Sequence, residues 1–243
     1  MLKYSIIIPT LNEEKLLPEL LKQLTDPELT SKFNLEIIIS DGGSTDNTLK
    51  IALNYADIII AHTDDKLQSI AAGRNEGAKH ATGDILFFLN GDVRIDEPLK
   101  FFNFVKNNFE NSSYLAMTVF VSIFPEESNN LDLVFHYCYN HYFRWLNNFG
   151  VGMGRGECQI VRKEIFDEVK GYNDDFAAGE DFELFRRIRK KGDILYTGKI
   201  RVFESPRRFR QRGYFAVTWS WTKNGISVLL KKRSISKIWE QVR

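Results

Sequence analysis

The first ninety residues alternate short apolar runs with longer segments in which apolar residues recur at helical spacing. The apolar runs are rich in isoleucine, leucine and phenylalanine and lack polar alternation, which is typical of strands buried on both faces of a sheet. They lie at residues 4–8, 35–39, 57–61 and 85–89. The intervening segments predict three helices: one that is capped by Asn12, one that ends at about residue 54, and one over residues 68–80. This alternation predicts a parallel α/β sheet, whose ligands bind beyond the carboxyl ends of its strands.

The second half has less regular patterns. Helical spacing predicts helices at residues 98–109, 131–149, 163–169 and 180–191, and a mostly helical tail over residues 214–243. Strands are predicted at residues 114–124 and, as one or two strands, within residues 194–204. Because the chain has no repeats and no low-complexity linker, its 243 residues predict a single domain.

Charge and cysteine content narrow the class of protein. The 33 Lys and Arg residues and 32 Asp and Glu residues leave a formal charge of +1, which argues against a globally basic nucleic-acid binder. The two cysteines have no zinc spacing and predict reduced thiols in a cytoplasmic protein. The apolar N-terminal run is too short for a signal peptide, and no window reaches the roughly 18–20 apolar residues of a membrane span.

Polar residues follow three of the predicted strands. Asp41, before two glycines, is suited to accept hydrogen bonds from a base or a ribose, although an Asx-turn before the next helix explains it equally well. Asp92 is suited to hold Mg²⁺ or Mn²⁺ together with ligand phosphates, and is also an ordinary turn residue after Gly91. Arg74, near the start of a predicted helix, is suited to bind a diphosphate, or to pair with Glu76 on the surface.

A pair of carboxylates, Glu180 and Asp181, opens the helix predicted at residues 180–191. Acidic residues in a first helical turn commonly complement the helix dipole. A carboxylate at this position is also suited to act as a general base on an acceptor hydroxyl. The four histidines have no spacing that predicts a metal site.

Four strings together resemble the family 2 glycosyltransferases with the GT-A fold, in order and spacing over about the first 190 residues. The strings are SIIIPTLNEE, IIISDGGSTDNT, AAGRNEGAKHATGDILFFLNGD and GEDFELFRRIRKKG. The chain is most similar to small bacterial-type members of that family. The resemblance implies a Rossmann-like, mostly parallel central sheet flanked by helices. It divides the domain into a nucleotide-sugar half (1–95), an acceptor and catalytic half (96–212) and a helical tail (213–243).

The resemblance implies an inverting transfer of a sugar from a nucleoside-diphosphate sugar to an acceptor, which is a glycan, a lipid-linked molecule or a small molecule. A divalent cation, Mg²⁺ or Mn²⁺, assists and is held by Asp92. Asp181, beside Glu180, matches the catalytic base. The implied donor-binding residues are Pro9, Thr10, Asn12, Glu13, Asp41, Gly43, Arg74, Asn75, Gly91 and Asp92. The implied residues on the acceptor and phosphate side are Gly156, Arg207 and Arg208.

The chain departs from the family pattern at three positions. Asn90 replaces the first carboxylate of the metal motif, Gly42 replaces a second aspartate, and Leu11 replaces an aromatic residue that stacks on the base. The chain has no QxxRW string, so single transfers are expected rather than polymer extension. The loss of one carboxylate leaves open a non-catalytic nucleotide-sugar binder, and a nucleotidyltransferase is a further alternative.

The tail combines tryptophans and phenylalanine with a basic cluster at residues 231–233. This composition is compatible with a peripheral contact at the inner face of a membrane. Packing over the domain and a homodimer face are the alternatives.

Overall fold

A computed structural model describes residues 2–64, 68–176 and 178–231. Within these ranges, a single mixed sheet has eight strands in the order β3-β2-β1-β4-β7-β6-β8-β5. The strands are β1 (Lys3–Thr10), β2 (Asn34–Asp41), β3 (Ile58–Ala61), β4 (Ile85–Leu89), β5 (Val93–Ile95), β6 (Ala116–Ile123), β7 (Cys158–Arg162) and β8 (Ile194–Glu204).

The first four strands pair in parallel, with β1 between β2 and β4. The carboxyl ends of β1, β2 and β4 therefore meet at one edge of the sheet, as the sequence predicts. The strand β7 pairs antiparallel with both β4 and β6, and so joins the second half of the chain to the first. This pairing brings the loop before Cys158 to the edge where β4 ends, because Leu89 lies opposite Cys158.

Helices cover both faces of the sheet. In chain order they are α1 (Leu17–Leu24), α2 (Pro27–Lys32), α3 (Thr48–Ala52), α4 (Ile70–His80), α5 (Pro98–Val105), α6 (Asn130–Asn148), α7 (Lys163–Glu168), α8 (Glu180–Arg189), α9 (Arg207–Arg212) and α10 (Tyr214–Lys231). A five-residue π-helix, Lys106–Glu110, extends α5. The last twelve residues of the predicted tail lie outside the described part of the chain.

The predicted start of the first helix is wrong. The helix begins at Leu17, not after Asn12, and Pro18 lies in its first turn, where a missing N–H breaks no helical hydrogen bond. Asn12 has a φ of 53°, and its side-chain oxygen accepts the N–H of Thr45 at 2.6 Å. Asn12 therefore connects the loops after β1 and β2 and does not cap a helix. The strand β1 also continues through Pro9, which the sequence predicts as its end.

Two strands, β5 and β7, were not predicted from the sequence. With three residues, β5 is too short to show a pattern, and it forms by pairing with the far end of β8. The segment over residues 194–204 is one strand, whose register with β6 shifts between Val119 and Phe120. That irregularity explains why the sequence pattern was compatible with either one strand or two.

Alternate residues of the central strands pack into two apolar layers. Ile6 and Phe87 lie in the layer beneath α1 and α5, whereas Ile7 and Phe88 lie in the layer beneath α4 and α8. All four side chains are fully buried. This burial confirms, for the central strands, that apolar runs without polar alternation form strands buried on both faces of the sheet. Among the described residues, no helix is long and apolar enough to cross a membrane.

The contact between α4 and β1 depends on Gly77. A Cβ at this position would overlap with Cγ2 of Ile7, whose branched side chain is held in the core. We expect Gly77→Ala to lower the free energy of unfolding by about 1–3 kcal/mol in urea denaturation, because overpacking outweighs alanine's higher helix propensity of roughly 1 kcal/mol. In the matched control Gly225→Ala, within α10, a Cβ meets no atom within 4 Å and stability should rise slightly. Equal gains for both variants would contradict the close packing.

Candidate active site

One large cavity, with a volume of about 720 Å³, opens where β1, β2 and β4 end. Its volume is typical of a small-molecule site. Most of the predicted site residues lie on its wall. They are Pro9, Thr10, Glu13, Arg74, Gly91, Asp92, Gly156, Glu180, Asp181, Arg207 and Arg208. The cavity therefore collects residues from the two halves of the chain, as the sequence predicts.

Asp41 is not among the described residues that line this cavity, and Gly43 is also absent from its wall. The Asp41 carboxylate is 1% exposed and accepts four hydrogen bonds. The donors are the hydroxyls of Thr10 and Ser44 and the backbone N–H groups of Gly43 and Ser44. The structure thus has the Asx-turn that was the alternative interpretation. Asp41 would have to give up some of these bonds to contact a nucleotide base.

Asn12 and Asn75 also lie off the cavity wall as described, and both hold loops together. The Asn75 side chain donates to the carbonyl of Tyr172 at 2.8 Å and accepts that residue's N–H at 2.8 Å. It donates as well to Asp174. Asn75 thus fixes the segment that leads into α8, and the donor contact implied for its side chain stays a prediction.

Arg74 is the most connected residue of the cavity floor. Although it belongs to α4, its side chain is 1% exposed, and Nη1 donates to Glu180 Oε1 at 2.9 Å. Nη2 donates to Asn90 Oδ1 at 3.0 Å and to the carbonyl oxygen of Gly156 at 2.6 Å. The surface pair with Glu76 is wrong, since Glu76 bonds to Lys79 instead. Arg74 therefore joins three loops, and its guanidinium already has protein partners where a diphosphate contact was implied.

Asp181 lies in the first turn of α8, after Gly179, whose φ of 83° turns the chain into the helix. The side chain is partly buried on the cavity wall, and Oδ1 accepts the N–H of Phe182 at 2.7 Å. Burial, together with the neighbouring Glu180 carboxylate, raises the pKa of Asp181 to about 7. Asp181 therefore exchanges its proton near neutral pH, which is the property of a general base.

Gly156 leaves space in front of this carboxylate. A Cβ at Gly156 would lie 3.1 Å from Asp181 Oδ2 and 3.6 Å from Arg74 Nη2. The Gly156 position on the cavity wall is thus explained by close approach to two charged groups rather than by a side chain of its own.

Arg207 connects two carboxylates that come from other parts of the cavity wall. Arg207, the first residue of α9, donates through Nη2 to Glu13 Oε1 at 2.6 Å and to Asp92 Oδ2 at 2.9 Å. The pair links the loop after β1 and the turn after β4 to α9, which follows β8. Arg208 also lines the cavity.

The donor set around Asp92 fits a divalent cation only in a minimal form. The described residues contain no group of three or more His, Cys, Asp and Glu side chains that could hold a metal. The Asn90 oxygen accepts from Arg74, so Asp92 supplies one protein carboxylate. Mg²⁺ and Mn²⁺ accept such sites when phosphate oxygens and water complete the coordination. The residues present therefore fit an ion that binds jointly with a phosphorylated ligand.

A buried polar cluster on the cavity wall was not predicted. Arg155 donates to Glu157 Oε2 and to Glu204 Oε1, both at 3.1 Å, and its guanidinium lies over the ring of Tyr139. Burial and the Glu157 charge raise the pKa of Glu204 well above its usual range. Glu204 is the last residue of β8, so the rule that site residues follow strand ends could have found it. Arg155 and Glu157 lie between glycines and an apolar strand, a weaker signal.

Comparison with known proteins agrees with this architecture. An archaeal glucuronosyltransferase of Methanococcus voltae, which acts on dolichyl N-acetyl-alpha-D-glucosaminyl phosphate, is 29% identical across 79% of this chain and 63% of its own length. The poly(ribitol-phosphate) beta-N-acetylglucosaminyltransferase TarS of Staphylococcus aureus is 33% identical across 40% of this chain and 17% of its own. The chain thus spans less than two thirds of the length of these relatives.

Solved structures show the same fold at low sequence identity. The mannosyltransferase of Pyrobaculum calidifontis, in complex with GDP-mannose and Mn²⁺, superposes with a TM-score of 0.68 and 18% identity over 92% of this chain and 61% of that one. TarS residues 1–349 with UDP-GlcNAc superpose with a TM-score of 0.61 and 18% identity, over 84% of this chain and 58% of that one. These likenesses confirm the GT-A fold predicted from the sequence.

The model of the family described as glycosyl transferase family 2 matches residues 5–170, which include both the strand-end loops and the segment that carries Gly156. That match covers more than half of the chain. The chain therefore belongs to glycosyl transferase family 2.

Proposed function

We propose that this chain transfers a single sugar from a nucleoside-diphosphate sugar to an acceptor hydroxyl, with inversion at the anomeric carbon. The observation that carries the proposal is that Asp181 and Asp92, which lies in the turn after β4, are on the wall of the same cavity. The pKa of about 7 makes Asp181 a base, and the strand-end turn is where α/β sheets bind phosphorylated ligands. Glycosyltransferases of similar fold, solved with GDP-mannose and with UDP-GlcNAc, support the donor class.

The donor occupies, in this proposal, the side of the cavity formed by residues 1–95. Pro9 and Thr10 end β1 there, and Gly91 follows β4. Arg207, which pairs with Glu13 and Asp92 on this side, and Arg208 are suited to offset the charge that develops on the leaving diphosphate. The acceptor enters from the side formed by residues 96–212, which supplies Gly156 and Asp181.

Asp181 removes the proton from the acceptor hydroxyl as the oxygen attacks the anomeric carbon. Attack opposite to the leaving diphosphate gives inversion, since no covalent intermediate with the protein forms. Glu180 is not the base, because its carboxylate is buried and paired with Arg74. Arg74 acts as a positioning residue: it holds the start of α8 against the Gly156 carbonyl and the Asn90 side chain.

Asp92 would hold a divalent cation, Mg²⁺ or Mn²⁺, together with the donor's phosphates. Such an ion would supply positive charge that stabilises the leaving diphosphate. The Mn²⁺ in the mannosyltransferase complex supports this assignment. Asp92 shares its carboxylate with Arg207, so two cations serve the same region.

Replacement of the base tests the function. Asp181→Asn should bind UDP or GDP with wild-type affinity and reduce transfer from the matching nucleotide sugar by about 10²–10⁴-fold, the usual contribution of general-base catalysis. In the wild type, the base form is lost as the pH falls below the pKa of about 7, so kcat/KM should fall about tenfold per pH unit between pH 6.5 and 5.5. A donor and acceptor screen with product analysis provides the activity measurement. Asp193→Asn, an exposed position between α8 and β8, is the control, and wild-type turnover by Asp181→Asn would refute the assignment.

Removal of the Asp92 carboxylate tests the metal. Calorimetric titration of UDP and GDP, each with and without Mn²⁺, should show that Mn²⁺ strengthens nucleotide binding to the wild type but not to Asp92→Asn. Since the protein supplies one carboxylate, Mn²⁺ alone should bind weakly to either protein. Equal nucleotide affinity of the wild type with and without Mn²⁺ would exclude metal assistance at this site.

The buried pair of Arg74 and Glu180 permits a double-mutant test. Arg74→Met leaves the Glu180 charge buried without its partner, and we expect it to lower the free energy of unfolding by about 3–5 kcal/mol. Arg74→Met combined with Glu180→Gln removes that charge and should recover part of the loss in urea denaturation. If the double variant were no more stable than Arg74→Met, the effect would not arise from the uncompensated carboxylate.

A further inference from the structure

One exposed side of α6 carries a continuous row of apolar side chains. The row, which ends at the residue after the helix, is what we call the α6 stripe: Leu131, Val134, Cys138, Tyr142, Trp145 and Phe149. Apart from Cys138, which is also exposed, these side chains are between 51% and 69% exposed. The spacing of three or four residues places them on one side of the helix. Over eighteen residues at 1.5 Å each, the stripe is about 27 Å long.

The other face of α6 is fixed to the protein, so the exposure is not an effect of a loose helix. The Asn140 side chain accepts the N–H of Val121 at 3.1 Å and donates to its carbonyl at 2.8 Å, as in a strand pair. Asp132 is 1% exposed and pairs with Arg210 of α9. Three of the four buried residues of α6 are polar (Asp132, His136 and Asn140), whereas most of its exposed residues are apolar, the reverse of an ordinary surface helix. Such an exposed apolar patch usually marks an interaction surface.

The helix α10 packs against α6 and carries two more exposed rings. Trp221 stacks on Tyr139 of α6 with ring centroids 5.6 Å apart. Phe215 and Trp219 are 83% and 53% exposed and stack on each other one turn apart. Both helices line the cavity, and Tyr142 belongs to the α6 stripe and to the cavity wall at once. One exposed ring of the stripe, Tyr142, therefore lies on the wall of the candidate active site.

The sequence from residue 207 onwards is rich in basic residues. Residues 207–243 contain ten of the 33 Lys and Arg residues but only one of the 32 Asp and Glu residues. The single carboxylate within α6 and α10 is Asp132, which is buried. Exposed basic side chains near the rings include Arg144, Arg212 and Lys223. Exposed tryptophan and tyrosine with basic neighbours, on two helices that carry no exposed acidic residue, match the chemistry of a lipid headgroup layer that carries negative charge.

We propose that the α6 stripe, with Phe215 and Trp219, docks on the surface of an anionic phospholipid membrane. The rings enter the boundary between headgroups and acyl chains, and the basic side chains contact lipid phosphates. Because Tyr142 joins the stripe to the cavity, docking brings the cavity mouth to the headgroup layer. The contact involves α6 as well as the tail, and it does not depend on the proposed sugar transfer.

Co-sedimentation of the full chain with vesicles tests this docking. Vesicles that contain phosphatidylglycerol should bind the protein, and vesicles of phosphatidylcholine alone should bind it much more weakly. Added salt should weaken the binding, because the basic side chains are exposed. The variant with Trp145→Ser and Trp219→Ser should lose affinity for the anionic vesicles by about tenfold or more, because it lacks two rings that enter the membrane in the wild type.

Two controls make the result specific. Leu53→Ser alters an apolar side chain that is 73% exposed elsewhere, at the end of α3, and should bind vesicles as the wild type does. Asp181→Asn should also bind normally, which separates docking from catalysis. The proposal is overturned if the wild type ignores anionic vesicles, or if the double tryptophan variant binds them unchanged. It is also overturned if sedimentation equilibrium shows that the wild type is a dimer that the tryptophan substitutions dissociate, since the face would then bind a second copy.

Discussion

The arrangement of the candidate active site depends on one buried guanidinium. Removal of Arg74 from water is costly, and the cost is offset only because Glu180, Asn90 and the Gly156 carbonyl accept its hydrogen bonds together. These acceptors come from three separate segments of the chain. The turn after β4, the loop before β7 and the start of α8 are therefore connected through a single side chain of α4.

The ion pair between Arg74 and Glu180 also affects the pKa of Asp181. Two adjacent carboxylates in a buried site repel each other, and that repulsion adds to desolvation in raising the pKa of Asp181. Arg74 acts in the opposite direction on Asp181 and pairs directly with Glu180. The result is one carboxylate that stays paired and one that exchanges a proton near pH 7. A difference between neighbouring carboxylates of this kind is a common way to assign distinct roles in an active site.

Charged side chains and exposed apolar side chains lie in separate regions of the molecule. Asp92, Glu157 and Glu204 approach the cavity from the sheet, whereas Arg207 and Arg208 approach it from α9, and most of these groups are held in ion pairs. On the outside, α6 and α10 present aromatic rings in a basic surrounding. A candidate active site rich in paired charges thus lies next to an apolar outer face, and Tyr142 belongs to both.

Much of the fold could be predicted from the sequence, because strands buried on both faces need uninterrupted apolar runs and such runs are visible without a structure. The strand ends also identified Asp92 and the edge where the cavity lies, and the carboxylate pair identified the start of α8. The roles of other polar residues were set by partners far away in the chain. Arg74 and Glu180 are 106 residues apart, and Asn75 contacts a backbone 97 residues away. Local sequence does not encode which distant group will reach a side chain, so the alternatives for Asp41 and Arg74 stayed open. The outward apolar face of α6 emerged only from the tertiary structure, whereas Glu204 ends a strand, a position for which the sequence does carry a signal. The sequence determined where polar groups leave the sheet, and packing determined which of them face a ligand and which only bind other parts of the protein.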